Sequence, residues 1–458
     1  LISADATIAI ERSETDPLLA SIRPFVSKTA AGIRSGLKLS AAVDLAGREY
    51  PDVCRHFLIE GDLSTFGLKH HLLFPEEDRV NRFVFRNRRT GQTLQINNVT
   101  PEEVRGIGNT LEVLARKDIP EQLLPKVTYP ELAAALKQVE VFVDQTSTTD
   151  WELPAGCGGI FRLQHASFLL QSKKARVLVD PHFVSVYSIE LQPRSFMLPH
   201  DFNQLNVDAI VITHSHTDHY DIPSLMMMPR NTLMIVPRVS GDSILSLRFG
   251  DELRAIGFRN VVEQDWYSEP IRVEDIEVSA VPFYGEQPLR YEHPRDRLLR
   301  NWGNSYVFRT PEFSSWCLID SGSDASGSMI DVADTVKNQF GSIDVVLSNL
   351  HEFFVGVGWG NPFYTTGGGE YWLSLTADQI VRFPEMGRDM ITLGPKGVAE
   401  ICATVKARTF LPYAHLWSDV GTAPLDEPFM LQTLRTQPAI ARSPIDIQSW
   451  RIGDLWHP

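Results

Sequence analysis

Runs of apolar and polar positions divide the chain into two blocks. In the first, Phe83-Val84-Phe85-Arg86 and Leu94-Gln95-Ile96 flank Thr90-Gly91-Gln92, a pattern that predicts a β-hairpin. Pro101-Glu102-Glu103 then opens a helix. Thr100 is its candidate cap, because a threonine oxygen can accept from the free amides of a first helical turn. A second helix is predicted over residues 130–143. Residues 145–150 are polar and read as a linker.

The second block begins at Trp151. Strands are predicted over 161–170, 176–179, 208–213, 233–236, 276–281, 304–309, 316–320 and 344–347, with a turn at Lys173-Lys174. Residues 208–213 are mostly apolar, as in a strand buried on both faces. Helices are predicted over 243–248, 329–339 and 397–404. Strands interleaved with helices predict an α/β fold whose sheets are covered by helices on the outside. The expected division is a domain of residues 1–150 and a catalytic domain of residues 151–458.

Composition narrows the partners. The chain has 43 basic and 57 acidic residues, a net charge of −14. Such a surface repels a phosphate backbone, so nucleic acid is excluded as the expected substrate. No apolar run approaches the roughly 20 residues of a membrane span, and no membrane partner is expected. The four cysteines, Cys54, Cys157, Cys317 and Cys402, form no C-x-x-C pair. That argues against a disulfide framework or thiolate zinc site and fits a cytoplasmic location. The chain starts at Leu1, so preceding residues are expected to be missing.

The chemistry concentrates in Thr213-His214-Ser215-His216-Thr217-Asp218-His219, directly after a predicted buried strand. Imidazole and carboxylate together suit zinc, iron and manganese. Side chains on extended backbone repeat every two residues, so His214 and His216 point the same way and can clamp one ion. Asp218 and His219 lie where the chain turns and can face a second.

This H-x-H-x-D-H pattern resembles the signature of the metallo-β-lactamase superfamily. The stretch from Phe161-Arg162-Leu163-Gln164-His165 through Val177-Leu178-Val179-Asp180-Pro181 resembles the opening strands of the branch with sugar-phosphate lactonases and phospholipase D-type acylethanolamine hydrolases. The likeness covers residues 155–420. It implies an αββα sandwich with two metals at one edge between the sheets, while the hairpin and helices of residues 1–150, which the likeness does not reach, read as an additional N-terminal α+β domain.

The resemblance also implies a ligand set. Where the family pattern has a third-motif His, Ala280-Val281-Pro282-Phe283-Tyr284-Gly285 leads to Glu286, the candidate replacement, with Tyr284 as second choice. Asp320, in Asp320-Ser321-Gly322, is the candidate bridge between the metals, with Asp324 as competitor. His415, after Thr409-Phe410-Leu411-Pro412-Tyr413-Ala414, fits the last motif. Metal one then takes His214, His216 and Glu286, and metal two takes Asp218, His219 and His415. His165 and Asp180 match positions that orient ligands. His351 is expected to line the pocket, and His182 to be incidental.

Two activities follow. Two zinc or manganese ions would activate a bridging water against a lactone, ester or phosphodiester, with Asp218 positioning or deprotonating that water. Two irons would instead bind O2 as co-substrate. Glu286 favours the second reading, because anionic oxygen donors stabilise ferric iron. A Glu at this position, with a large N-terminal domain, resembles the di-iron β-hydroxylases of nonribosomal peptide pathways. That implies a hydroxylase of secondary-metabolite biosynthesis acting on a small molecule or an amino acid held on a carrier protein, with an N-terminal domain for homodimer formation or partner docking. A metal-binding scaffold without turnover is the third class. Residues 295–297 and 355–372 read as insertions that would shape the substrate pocket.

Overall fold

A computed structural model of the chain describes residues 2–12, parts of 21–54, 81–115, 130–143, 157–184, 205–239, 248–285, 302–350, 392–414 and 427–458, apart from 4, 98, 217, 325 and 326. The first block holds an antiparallel sheet of β1 (Ala6–Arg12), β2 (Asn81–Asn87) and β3 (Thr93–Asn97). Its helices are α1 (Leu39–Gly47), α2 (Pro101–Leu114) and α3 (Pro130–Gln138). The expected hairpin is β2–β3, with Phe83 opposite Ile96 and Phe85 opposite Leu94. Thr100 caps α2 in a full capping box: its Oγ1 accepts from the Glu103 amide, and Glu103 Oε2 accepts from the Thr100 amide. The α3 helix ends at Gln138, short of Val143, and Glu140 follows in left-handed backbone.

The second block opens with β4 (Gly159–Arg162), β5 (Phe168–Gln171), β6 (Arg176–Val179), β7 (Ala209–Val211), α4 (Ile222–Leu225), β8 (Leu233–Pro237), α5 (Phe249–Ala255) and β9 (Asn260–Gln264). There follow β10 (Ile271–Val273), β11 (Ile276–Val281), β12 (Ser305–Arg309), β13 (Ser314–Ile319) and a small hairpin of β14 (Ser323–Asp324) and β15 (Gly327–Ser328). The chain then runs through α6 (Met329–Phe340), β16 (Val345–Ser348), α7 (Gly394–Val405), β17 (Thr409–Pro412), α8 (Glu427–Arg435), α9 (Pro438–Arg442), β18 (Asp446–Ile447) and β19 (Leu455–Trp456).

Two seven-stranded sheets result, ordered β19-β4-β5-β6-β7-β8-β9 and β10-β11-β12-β13-β16-β17-β18. Each has a parallel half, β6 to β9 and β13 to β18. Alternation along the strands assigns the faces. Val177, Val179, Ala209 and Val211 point inward and meet Val278, Ala280, Phe308 and Leu347 of the other sheet. Leu318, Val346 and Phe410 point outward onto α6, α7 and α8. Leu178 and Ile210 point outward on the opposite side. The layering is helix, sheet, sheet, helix.

That last outer face is covered largely by the first block. Ile8, Ile10, Phe83 and Phe85, with Val104, Ile107 and Leu111 of α2, share one apolar cluster with Leu163, Leu178, Ile210 and Met226. The Ile8 amide donates to the Val184 carbonyl at 3.0 Å. Arg230 is buried at the same seam. It donates to the carbonyls of Leu225, Met226 and Met228, and its guanidinium lies 5.0 Å from the Phe258 ring. Gly108 of α2 leaves it room, since a Cβ there would stand 2.8 Å from its Nη2. The core therefore runs across the expected division at residue 150.

One strand expected from the sequence changes, and one expected helix is not reached. Residues 161–170 form two strands, β4 and β5, rather than one. The chain reverses at Gln164–Ser167, where the Ser167 amide donates to the Gln164 carbonyl and the Leu163 amide to the Ser167 carbonyl. The turn is buried and its flanks, Ile160 to Leu163 and Phe168 to Leu170, are mostly apolar, which masked the break. The helix expected over 243–248 falls almost wholly outside the described residues; the helix found nearby, α5, starts after Arg248.

Candidate metal centre

The cluster lies where β7 ends. Asp180, one residue past β6, supplies the scaffold. Its Oδ1 accepts from the Thr213 amide at 2.8 Å, and its Oδ2 from Thr213 Oγ1 at 2.6 Å. The same Oδ2 lies 2.8 Å from His219 Nδ1. Parallel pairing of β6 with β7 brings the two strand ends side by side, so one carboxylate can hold both ends of the motif.

The geometry sorts the side chains into two groups. Ligand atoms of His214, His216 and Asp320 lie within 4.8 Å of one another, and so do those of His165, Asp218 and His219. Asp320 Oδ2 connects the groups, 2.9 Å from His219 Nε2 and 3.8 Å from His214 Nε2. The His214 and His219 rings are 4.2 Å apart between centroids. Asp218 Oδ2 lies 3.0 Å from His165 Nε2. His214 and His219 are fully buried, while 27% of the Asp218 side chain is exposed. The centre is thus open on its Asp218 side.

Asp320 is aimed by unusual backbone. A register shift interrupts β13 against β16 between Cys317 and Ile319, and Ile319 has φ +59°, a strained value for a β-branched residue. Asp180 and Ala414 are also left-handed, at +43° and +55°. All three lie at strand ends beside sequence-predicted site residues, where such strain collects. The Asn349 amide donates to Asp320 Oδ1, which leaves Oδ2 for the histidines. The competitor Asp324 pairs with Gly327 in the β14–β15 hairpin, and Ser328 caps α6 through its own hydroxyl.

Charge is finely divided here. Burial and the neighbouring His219 and His216 hold the His214 imidazole well below its ordinary range, and burial lowers His216. Burial alone would raise the Asp218 carboxyl, but His219 and the His165 hydrogen bond hold it well below the usual range. His219 is opposed by burial and still driven well above the ordinary imidazole value by Asp218, Asp320 and Asp180. A proton on His219 thus balances the surrounding carboxylates.

These residues fit metal ions. The Nε2 atom of His214 is buried and makes no hydrogen bond, while that of His219 faces the Asp320 carboxylate at 2.9 Å. His219 Nδ1 is committed to Asp180, so a neutral ring leaves its Nε2 lone pair facing Asp320. Buried nitrogens without partners are costly unless something else binds them. His214 and His219 would offer those lone pairs to a dication, whose charge the nearby carboxylates would balance in place of the proton.

Of the sequence-predicted ligands, the structure brings His214, His216, Asp218, His219 and Asp320 together. Glu286 and His415 lie outside the described residues, as does His351. Tyr284, the second choice for the third motif, instead packs its ring on Gly327, where a Cβ would come within 2.6 Å. His182 is nearer the chemistry than expected. It is fully buried, its ring 6.0 Å from that of His165, and burial pushes its imidazole down to about 3. Asn349 was not predicted at all; its place at the end of β16, opposite Asp320, follows only from strand pairing.

A family model described as a β-lactamase superfamily domain matches residues 175–414. A 4-amino-L-phenylalanyl-[CmlP-peptidyl-carrier-protein] 3-hydroxylase of Streptomyces venezuelae is 30% identical over 148 residues, 31% of this chain and 27% of that protein. Transcription termination factor FttA of Methanosarcina mazei is 31% identical over 81 residues, 18% of this chain and 13% of its own. Both matches span well under two thirds of the relative's length. Among solved structures, CmlA, described as a diiron β-hydroxylase from Streptomyces venezuelae, is similar over 100% of this chain and 99% of its own, with a TM-score of 0.58 and 15% identity. That is a likeness of fold, and it includes the first block. Among the described residues, no helix is long and apolar enough to cross a membrane.

Proposed function

The chain belongs to the β-lactamase superfamily, and from that premise we propose that it is a binuclear metal-dependent oxygenase, a hydroxylase using two irons and O2. The observation that carries the binuclear part is Asp320 Oδ2, which stands between the His214–His216 group and the group of Asp218 and His219. One carboxylate there offsets the repulsion between two dications. The proposed ligands are His214, His216 and Glu286 for metal one, Asp218, His219 and His415 for metal two, with Asp320 shared. His165 is assigned to orient Asp218, and Asp180 to orient His219.

Iron is favoured by Glu286, a hard anionic donor at the position where the superfamily pattern has a histidine. Two bound irons would supply the electrons that activate O2. The chain's own residues set the frame for that step. Buried His214 and His219 keep water from the inner side, and the exposed edge at Asp218 leaves an approach for substrate. The matched hydroxylase acts, by its name, on an aminophenylalanyl group carried by a peptidyl carrier protein. We extend that class to this chain: an amino acid or related small molecule, free or held on a carrier protein. The residue 1–150 domain would serve docking or a homodimer.

The second reading is a zinc- or manganese-dependent hydrolase of a lactone, ester or phosphodiester. It is favoured by Asp218, whose carboxyl is held ionised at the open edge and could position a water. Metal analysis of natively purified protein separates the two. The oxygenase reading expects about two irons per chain and O2 uptake after reduction. Stoichiometric zinc with turnover of model lactones overturns it.

A further inference from the structure

The Cys317 thiol and the Tyr413 phenol meet between the two sheets, with Sγ 2.7 Å from Oη and both side chains fully buried. That is the length of an O–H···O hydrogen bond, and sulfur is a larger atom than oxygen. A sulfur bonded to the ring carbon beside the hydroxyl-bearing carbon would hold nearly this separation, because three short bonds in the ring plane would then join the two atoms. The contact reaches across one strand, since β16 lies between β13 and β17. Cys317 is three residues before Asp320, and Tyr413 is two before His415. Phe168 stands edge-on to the Tyr413 ring at 5.4 Å.

Other chemistry is closed to this thiol. Burial keeps it protonated, well above its ordinary range, so it is not a thiolate nucleophile. Cys317 forms no disulfide, and Cys402, the other buried cysteine, lies on α7 in the outer core, away from the space between the sheets. What remains is oxidation, next to a centre proposed above to handle O2.

We propose that Cys317 and Tyr413 form a self-modification site, in which the sulfur becomes bonded to the ring carbon ortho to the phenol oxygen. The inference rests on the O2-dependent reading, because O2 is the oxidant. The S–H bond and the ortho C–H bond break, and the C–S bond forms. Two electrons and two protons pass to O2, giving hydrogen peroxide. The product ties the strand that leads to Asp320 to the strand that leads to His415. It also removes an oxidisable thiol from the neighbourhood of the metals.

The test uses the full-length chain, loaded with ferrous iron and exposed to O2. Digestion is expected to yield one joined peptide carrying Cys317 and Tyr413, two hydrogen atoms lighter than its parts and stable to thiol reductants. The unfolded chain is expected to titrate as three thiols instead of the four in the sequence. Cys317→Ser and Tyr413→Phe each abolish the joined peptide. Iron is counted on the same sample. Bound iron with four free thiols overturns the cross-link and leaves the oxygenase reading standing. Four free thiols without bound iron overturn both.

Discussion

Asp180 holds His219 from behind, with its Oδ2 2.8 Å from the ring Nδ1, and so fixes Nε2 toward Asp320. The same carboxylate also fixes Thr213, so the first and last parts of the motif depend on one buried acid. Asp180→Asn would offer His219 an amide that can donate where an acceptor is required. Metal affinity is expected to fall by about 10- to 100-fold, as for other partners behind a ligating imidazole. Titration against a competing chelator measures it, and unchanged affinity would remove Asp180 from the site.

Gly303 gives a steric test of the same strand end. A Cβ there would stand 2.8 Å from His214 Cβ, 3.0 Å from Phe283 Cδ1 and 3.0 Å from the Thr213 carbonyl oxygen. The carbonyl is backbone, and the Phe283 ring is itself stacked on His214 at 4.9 Å, so none of the three yields easily. Gly303→Ala is expected to cost about 1–3 kcal/mol in urea denaturation and to displace His214. A variant with native stability and native metal content would show that the segment is looser than described.

Glu252 predicts a pH effect away from the ligands. It is buried beside Tyr220, and burial raises its carboxyl from 4.5 to about 8. Between those values the unfolded chain releases a proton that the folded chain keeps. Stability therefore falls as pH rises through that window. Glu252→Gln mimics the protonated acid and should remove the part of the slope that Glu252 contributes. Denaturation at pH 8 is expected to find the variant more stable by on the order of 1–4 kcal/mol, and equal to the parent near pH 4.5. A variant whose stability follows the parent's at every pH in this range would mean that Glu252 ionises freely.

Glu286 bears on metal identity. Glu286→His restores the donor that the superfamily pattern has at this place. The variant is expected to take up more zinc and less iron than the parent, and to lose O2 consumption. Metal analysis beside O2 uptake reads both. Full activity with zinc would show that the glutamate was not selected for iron.

The layered fold could be read from the sequence because its signals are local. The apolar stretch around Ile210 ends abruptly in the metal motif. Thr100 and Glu103 sit at capping-box spacing, and the β2–β3 strands flank a Thr-Gly turn. The expected partition of His214 and His216 from Asp218 and His219 rested on backbone period; the structure groups these side chains in the same way, although the chain already bends at Ser215 and His216. What stayed hidden depends on contacts between distant segments. The turn that presents His165 is buried, so its apolar neighbours read as one long strand. His182 became a neighbour of the site only through the packing of its ring near His165. Asn349 reaches Asp320 only because β13 and β16 are parallel neighbours, and no spacing along the chain encodes that.

The apolar cluster shared by Ile8, Phe85 and Ile107 with Leu178, Ile210 and Met226 has a consequence for catalysis at a distance. With Arg230 wedged at the seam, the described part of the first block is packed against the sheet that carries the His214–His219 cluster. On the proposed reading it would act as a ruler rather than an arm. If the first block docks a cargo, as proposed, that cargo would lie at a set bearing and a set reach from the candidate metal centre, so a cargo on a tether would be selected by tether length as well as by its chemistry.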